Sequence, residues 1–542
     1  KKQIKQLVKK PVPDPDGEKN RWFKDNARLL LSCIENGLLS LKKNNGRGAD
    51  DFFYRLKTAL SGVNCGNTEP SFVKAVGKDG VETELCELFA PLTFAAAAVR
   101  ALEAYENGTE SFSSAVKLIF AMKSVDFDSI LPEVCAGERL LMLDPSGDYP
   151  KCDRLTKKHF RDLACNEAKK RGETAQEYIK ASLEKAENAA EEKRHIGFQI
   201  GEYKTDKSAG VSYICVEAAF TAAAAFVTAF FCTRPVSGFF NEWYGIFILT
   251  VLLFLPFYAA LRPISDRLAA HFFKPAFLAS YDPELTDELP SAVIAVSSVL
   301  PTADRINTVK EHLRETKLSD SSPDTVLVYL CDLKNAAIPL LPEDETDIRA
   351  SKNMIDSLNR ECGGGFVLAL RDRVFAPSEN SYGGHERKRG ALCALVKYIT
   401  DGDNAFSVLH GDTGALKKAK YMLALDSDTT LPFESLKKLV CIASYPLNRP
   451  VFSPEKRRIT QGYGIIAPRV ETTPSSAEKT IFSSFMTLGG ISAYSSPVSE
   501  RYMDMFGVSL FTGKGLIDIE AFSQVCVDAF PDGLILSHDI PE

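Results

Sequence analysis

The sequence predicts an α/β domain with a doubly wound sheet in its C-terminal half, preceded by two transmembrane helices and an α-helical N-terminal region. Three observations carry this. From about residue 289, short apolar runs alternate with amphipathic helical stretches. Just upstream stand two long apolar runs, 211–233 and 243–261. Before them, apolar residues recur at three-to-four spacing. The divisions expected are 1–205 for the helical region, 209–262 for the two membrane helices with a short external link, and 285–542 for the α/β domain.

The bulk numbers fit a globular chain: 542 residues, 45% hydrophobic and 25% charged. A net charge of −6 gives no reason to expect a nucleic-acid partner. The 13 cysteines are scattered, without a C-x-x-C pair. That points to a reducing compartment and away from zinc or a disulfide framework. The chain starts at Lys1 rather than Met and stops at Pro541-Glu542. Both ends read as cut from something longer.

Along the N-terminal region, Lys1, Lys2, Lys5, Lys9 and Lys10 form a basic arm, read as a solvated tail that anionic lipid could attract. Helices are expected at 22–41, 85–106, 111–122, 155–171 and 175–194. Phe23, Ala27, Leu30, Leu31 and Ile34 give the helical period. The Ala- and Glu-rich stretch 181–192 reads as an exposed or partner-packed helix. No catalytic constellation stands out here.

Each apolar run is long enough to cross a hydrocarbon core of about 30 Å at about 1.5 Å per residue. Trp243, Tyr244 and Tyr258 sit near the ends of the second, where aromatic belts lie. Lys204 and Lys207 precede the pair, and Arg262, Arg267 and Lys274 follow it. The positive-inside rule then puts both flanks in the cytoplasm. Glu217, the charge inside the first run, is expected to face a neighbouring helix or to lie near the interface.

In the α/β half, strands are expected at 292–297, 326–330, 366–370 and 421–425, with helices at 303–316, 347–361, 388–398 and 433–443. Asp332 and the Asp426-Ser427-Asp428 triplet fall at strand ends, where open α/β sheets bind ligands. Two carboxylates separated by one residue point to the same side of an extended backbone and repel each other. A divalent cation bridging them to a diphosphate removes that cost, and Mg²⁺ commonly uses one or two carboxylates plus phosphates. The triplet therefore reads as a D-x-D motif for a metal–nucleotide-sugar.

Four further stretches stand around it. Glu386-Arg387-Lys388-Arg389-Gly390-Ala391-Leu392 places three cations at a helix start, which suits phosphate. Residues 461–469 form a strand interrupted by glycines, as where a ligand or backbone approaches closely. Phe511-Thr512-Gly513-Lys514-Gly515 is a glycine-rich turn. Leu536-Ser537-His538-Asp539 is an apolar strand end with two candidate bases.

The order of these features resembles a GT-A glycosyltransferase of the cellulose-synthase-like type. More closely, the stretches 386–392, 425–432, 445–450, 461–470, 511–522 and 535–542 resemble the glycosyltransferase domain of the cyclic β-1,2-glucan synthases. Leu143-Asp144-Pro145-Ser146-Gly147-Asp148-Tyr149, with 153–161, resembles their membrane-proximal cytoplasmic segment. The resemblance covers most of 130–542. It implies an inverting, multi-pass enzyme of the cytoplasmic membrane that moves glucose from UDP-glucose onto the 2-hydroxyl of a growing β-1,2-glucan, with Mg²⁺ or Mn²⁺. It implies contact of Asp332 with uracil or ribose, and of Arg387, Lys388 or Arg389 with the nucleotide. Asp426 would take the ribose or diphosphate side and share the metal with Asp428. Asp539 would be the base, with His538 its competitor, and Phe511, Thr512 and Gly513 would line the acceptor channel. A C-terminal phosphorylase-like domain is expected in the full-length family. Processive relatives carry a Q-x-x-R-W motif after the base, and this chain ends before any such place. Another sugar nucleotide, a lipid acceptor, or a non-catalytic glucan-binding scaffold are the alternatives.

Overall fold

A computed structural model describes residues 136–200, 207–233, 243–272, 277–286, 289–320, 322, 324–377, 379–486, 511 and 513–530. For 207–210, 262–272, 474–475 and 484–486 it describes the backbone alone. The helices expected at 22–41, 85–106 and 111–122 lie outside these residues, as do Thr512, His538 and Asp539. The chain divides into two compact units, 1–202 and 203–542.

The first unit contains α1 (Ala136–Leu141), α2 (Arg154–Arg171), α3 (Ala175–Glu187) and α4 (Gly197–Ile200). Asp153 caps α2 by accepting from the Thr156 amide, and Thr174 and Glu177 form a capping box at α3. Helix α3 stops at Glu187, short of the predicted 194. The Asn188 side chain there donates to the Glu184 carbonyl at 2.8 Å, and a short 3₁₀ turn follows. Ser182, Leu183 and Ala186 are buried within this unit, so one side of the stretch expected to be exposed or partner-packed belongs to its core.

The L-D-P-S-G-D-Y block is explained by local hydrogen bonding. Asp144 accepts from the Ile196 amide at 2.8 Å, the Tyr149 amide at 3.1 Å and Ser146 Oγ at 2.6 Å. Tyr149 donates its hydroxyl to Glu138 at 2.8 Å, and Glu138 pairs with Arg161 at 2.7 Å. All of these groups except Ser146 are buried, and each buried charge shown here has an acceptor or donor against it.

The second unit opens with α5 (Lys207–Thr233) and α6 (Trp243–Phe272), which pack as a pair. Within them, 211–231 and 243–261 are long and apolar enough to cross a membrane. Glu217, Thr221, Ala225 and Ala229 are buried, while Val216, Phe220, Leu252 and Leu255 are exposed. Small and polar groups inside with large apolar groups outside is the reverse of a water-soluble hairpin.

The α/β part is built on a seven-stranded sheet in the order β10 (Ile465–Ile466), β11 (Gly515–Asp518), β7 (Tyr421–Asp426), β1 (Ala292–Val299), β2 (Val326–Asp332), β3 (Phe366–Arg371) and β6 (Val408–Gly411), with β4 (Val374–Ala376) and β5 (Ser381–Gly383) forming a separate hairpin. Its centre is parallel: β7 (Tyr421–Asp426), β1 (Ala292–Val299), β2 (Val326–Asp332) and β3 (Phe366–Arg371). These strands are continuous apolar runs, as burial on both faces requires. Helices α7 (Ile306–Leu318), α8 (Asp344–Cys362), α9 (Arg387–Thr400) and α10 (Ser435–Ser444) follow them in βα alternation. Ile294, Leu327, Leu368 and Leu423 form one core layer, and Val293, Val328, Val367 and Met422 the other.

The sheet is mixed rather than wholly parallel. Strands β6 (Val408–Gly411), β10 (Ile465–Ile466) and β11 (Gly515–Asp518) run antiparallel to their neighbours. Strands β6 and β11 are short and carry too little alternation to read as strands in isolation, whereas β10 lies inside the glycine-interrupted strand expected at 461–469. The expected glycine interruption is present. Strand β9 (Arg458–Gln461), which pairs with β8 (Val451–Ser453), and β10 are separated by Gly462, at φ +69°. A Cβ on Gly462 would lie 1.9 Å from the Arg449 carbonyl oxygen, so the close approach is made by backbone.

Candidate functional site

The site follows from where the strands stop. Chain order runs β1 to β2 to β3 in one direction, while β7 lies on the other side of β1. In open α/β sheets ligands bind where the strand order switches, and here that point lies at the carboxyl ends of β1 and β7. Asp426 sits there, in register with Ser297 of β1. Asp332 ends β2, in register with Val299 on one side and Arg371 on the other.

Asp332 is held by a two-pronged pair with Arg371: Nε to Oδ1 at 2.7 Å and Nη2 to Oδ2 at 2.8 Å. Arg371 also donates to the carbonyls of His385 at 3.0 Å and Arg387 at 2.8 Å. One buried guanidinium thus joins the strand-end acid to the turn that starts α9. Glu386 and Arg387 in that turn have positive φ, +50° and +48°. Gly390 lets the His385 carbonyl approach, since a Cβ would lie 2.0 Å from that oxygen.

The three cations of the helix start diverge. Arg387 is exposed and pairs with Glu379 at 2.7 Å. Arg389 is buried, pairs with Glu386 at 2.5 Å, donates to the Cys526 carbonyl at 2.8 Å and lies over the Phe530 ring. Its guanidinium ties α9 to the segment after α11 (Ile519–Val525). Lys388 turns to the strand ends. Its Nζ lies 2.5 Å from Asp426 Oδ1 and also donates to the Gly513 carbonyl.

Lys514 approaches from the other side, with Nζ 2.5 Å from Asp426 Oδ2. The register explains this: β11 begins at Gly515 opposite Ala424, so the preceding residue falls beside the end of β7. Burial alone would raise the Asp426 carboxyl. Hydrogen bonds and charge from both lysines outweigh it and hold the group below the usual carboxylate range. Asp428, two residues on, is exposed.

Phe511 is buried in the core layer with Ala391, Ile517 and Phe522, and the Gly513 carbonyl serves Lys388. Sequence reasoning missed Arg371 and Lys514 as site residues. Arg371 had a signal, an apolar strand ending in a cation beside one ending in Asp332. Lys514 had only its glycine neighbours. The Tyr445–Pro450 block is architectural: Tyr445 is buried against Tyr281, and Asn448 Nδ2 donates to the Ala279 and Ile442 carbonyls, each at 2.7 Å. A cavity of about 530 Å³ lies at the opposite, amino-terminal edge of the sheet, lined by Lys317, Asp320, Thr325 and Gly365 among others. It is separate from the strand-end acids.

This arrangement defines the class: a mixed α/β protein whose acids and lysines converge where its parallel strands end, with a helix pair fit to cross a membrane. Compared with known proteins, the chain is 30% identical over 310 residues to cyclic β-(1,2)-glucan synthase NdvB of Rhizobium meliloti (strain 1021). The match takes in 55% of this chain and 11% of that relative, so the chain spans about a ninth of its length. The likeness expected from the motif blocks is thus found in a protein of the named kind. No family model matches the chain.

Proposed function

We propose that this chain carries the glycosyl-transferring part of a membrane-anchored β-1,2-glucan synthase of the GT-A type. The observation that carries the reading is the convergence of Asp426, Lys388 and Lys514 beside the Asp332–Arg371 pair, in a chain similar to such a synthase. Anionic and cationic groups at parallel-strand ends suit a nucleoside diphosphate sugar with its counter-cation.

In this reading UDP-glucose binds with its base or ribose toward Asp332 and its diphosphate toward Lys388 and Asp426. The acceptor's 2-hydroxyl gives its proton to Asp539 as its oxygen bonds to C1 of glucose. The bond from C1 to the diphosphate oxygen breaks, UDP leaves, and the anomeric configuration inverts. Asp426 and Asp428 are hard oxygen donors separated by one residue, and Asp428 is exposed, which fits a divalent cation. Among the described residues no cluster of three or more His, Cys, Asp or Glu side chains could hold a metal alone, so phosphate oxygens would complete its shell. Bound Mg²⁺ or Mn²⁺ supplies neutralisation of the leaving diphosphate.

Helices α5 and α6 anchor the domain in the cytoplasmic membrane, with the flanking cations holding it on the cytoplasmic side. The growing glucan is the second substrate, and a C-terminal phosphorylase-like domain belongs to the whole protein. The deciding experiment measures UDP release by the membrane protein from UDP-glucose and other sugar nucleotides, with and without Mg²⁺ or Mn²⁺, followed by linkage analysis. A β-1,2-linked glucan supports the reading. Release with another sugar or linkage moves the substrate. No release from any sugar nucleotide leaves a glucan-binding scaffold.

A further inference from the structure

Lys514 is the cation at the strand ends to which none of the readings above gives a role. It stands on the turn before an antiparallel strand, between Gly513 and Gly515, and reaches Asp426 Oδ2 at 2.5 Å while Lys388 holds Oδ1 at 2.5 Å. Both carboxylate oxygens therefore face ammonium groups, and Lys388 and Lys514 have no other acidic side chain within ion-pair distance among the described residues. Two cations against one anion leave a surplus positive charge beside a carboxylate whose oxygens are taken.

We propose that Lys514 is a donor-site residue that exchanges partners: it neutralises Asp426 in the empty site and moves onto the donor's diphosphate when the nucleotide arrives, freeing an Asp426 oxygen. The proposal rests on the nucleotide-sugar reading above. Its physical basis is charge balance. A lone divalent cation at Asp426 must displace an ammonium group that has nowhere better to go, so it binds weakly. A diphosphate offers Lys514 a more highly charged acceptor, so the cation and the nucleotide enter together. Among the described residues Lys388 has a second anchor, the Gly513 carbonyl, and so is the less free of the two.

The prediction runs in opposite directions for two ligands, which a merely structural lysine would not do. In the purified full chain, Lys514→Gln is expected to bind UDP with Mn²⁺ at least tenfold more weakly than wild type. The same variant binds Mn²⁺ alone several-fold more tightly, read by the free Mn²⁺ electron-spin signal. Uridine binding, read by saturation-transfer NMR, stays unchanged, and Lys514→Arg stays near wild type for UDP. Wild-type UDP affinity in Lys514→Gln overturns the proposal. So does equal weakening of UDP, uridine and Mn²⁺, which would assign Lys514 to the fold. If wild type binds no nucleoside diphosphate with Mn²⁺, the nucleotide-sugar reading itself fails, a result distinct from a silent Lys514.

Discussion

Arg371 and Asp332 close a two-pronged ion pair across neighbouring parallel strands, at 2.7 and 2.8 Å. The same guanidinium holds two carbonyls of the turn that launches α9. The acid at one strand end and the lysine reaching the other therefore share one support. Both partners are largely buried, so removing one leaves an uncompensated charge, at about 3–5 kcal/mol. Arg371→Ala is expected to lose that much in denaturant unfolding and to lose nucleotide binding with it. Arg371→Lys should be nearly as poor, because an ammonium cannot reproduce the fork.

Asp428→Asn should abolish transfer while leaving the thermal midpoint within about a degree or two, since an exposed side chain contributes little to the fold. Turnover like wild type in that variant would sink the metal assignment. Asp539→Asn should keep UDP binding and lose transfer, and loss of nucleotide binding there would mean that Asp539 has been misplaced.

Arg373 and Asp344 form a second buried pair, which fixes the loop after β2. Arg373 also donates to the Lys334 carbonyl at 2.6 Å and the Pro339 carbonyl at 3.2 Å. Arg373→Met is expected to cost about 3–5 kcal/mol, and pairing it with Asp344→Leu should recover much of that. The urea midpoints of the two single variants and the double measure the coupling.

Acid unfolding should separate two carboxylates of opposite sign. The hydrogen bond from Arg373 holds the Asp344 carboxyl below its ordinary range. Its stabilisation is full above the usual Asp value of about 3.9 and is lost as pH falls through the lower folded value. The stability gap between wild type and Asp344→Asn should therefore shrink in acid. Burial pushes Asp320 up, so its ionisation works against the fold. Asp320→Asn should gain on wild type as pH rises above about 3.9. Unfolding series for both variants from acid to neutral pH would reveal the crossing trends.

Gly390→Ala places a methyl group 2.0 Å from the His385 carbonyl oxygen and 2.9 Å from Arg371 Nη1. Backbone cannot yield cheaply, so a loss of about 1–3 kcal/mol or more is expected, together with weaker nucleotide binding. Gly414→Ala meets only the Asp412 carboxylate at 3.6 Å and serves as the control in the same thermal scan.

The sequence by itself determined the parallel centre of the sheet, the two apolar helices and the acids at strand ends. Buried strands must be apolar along their length, and the residue that ends such a run marks the edge of the sheet, as Leu425-Asp426 and Cys331-Asp332 do. Tertiary structure decided which cations meet those acids. Arg387, Lys388 and Arg389 are indistinguishable as a basic run, yet the helix phase sends one to solvent, one to the strand ends and one into the core. Lys514 reaches Asp426 because an antiparallel strand with too little pattern to read pairs with β7 in one register. Local patterning reports burial and period. It carries no information about which distant segment pairs beside a strand end, and in this protein that pairing places Lys514 on Asp426.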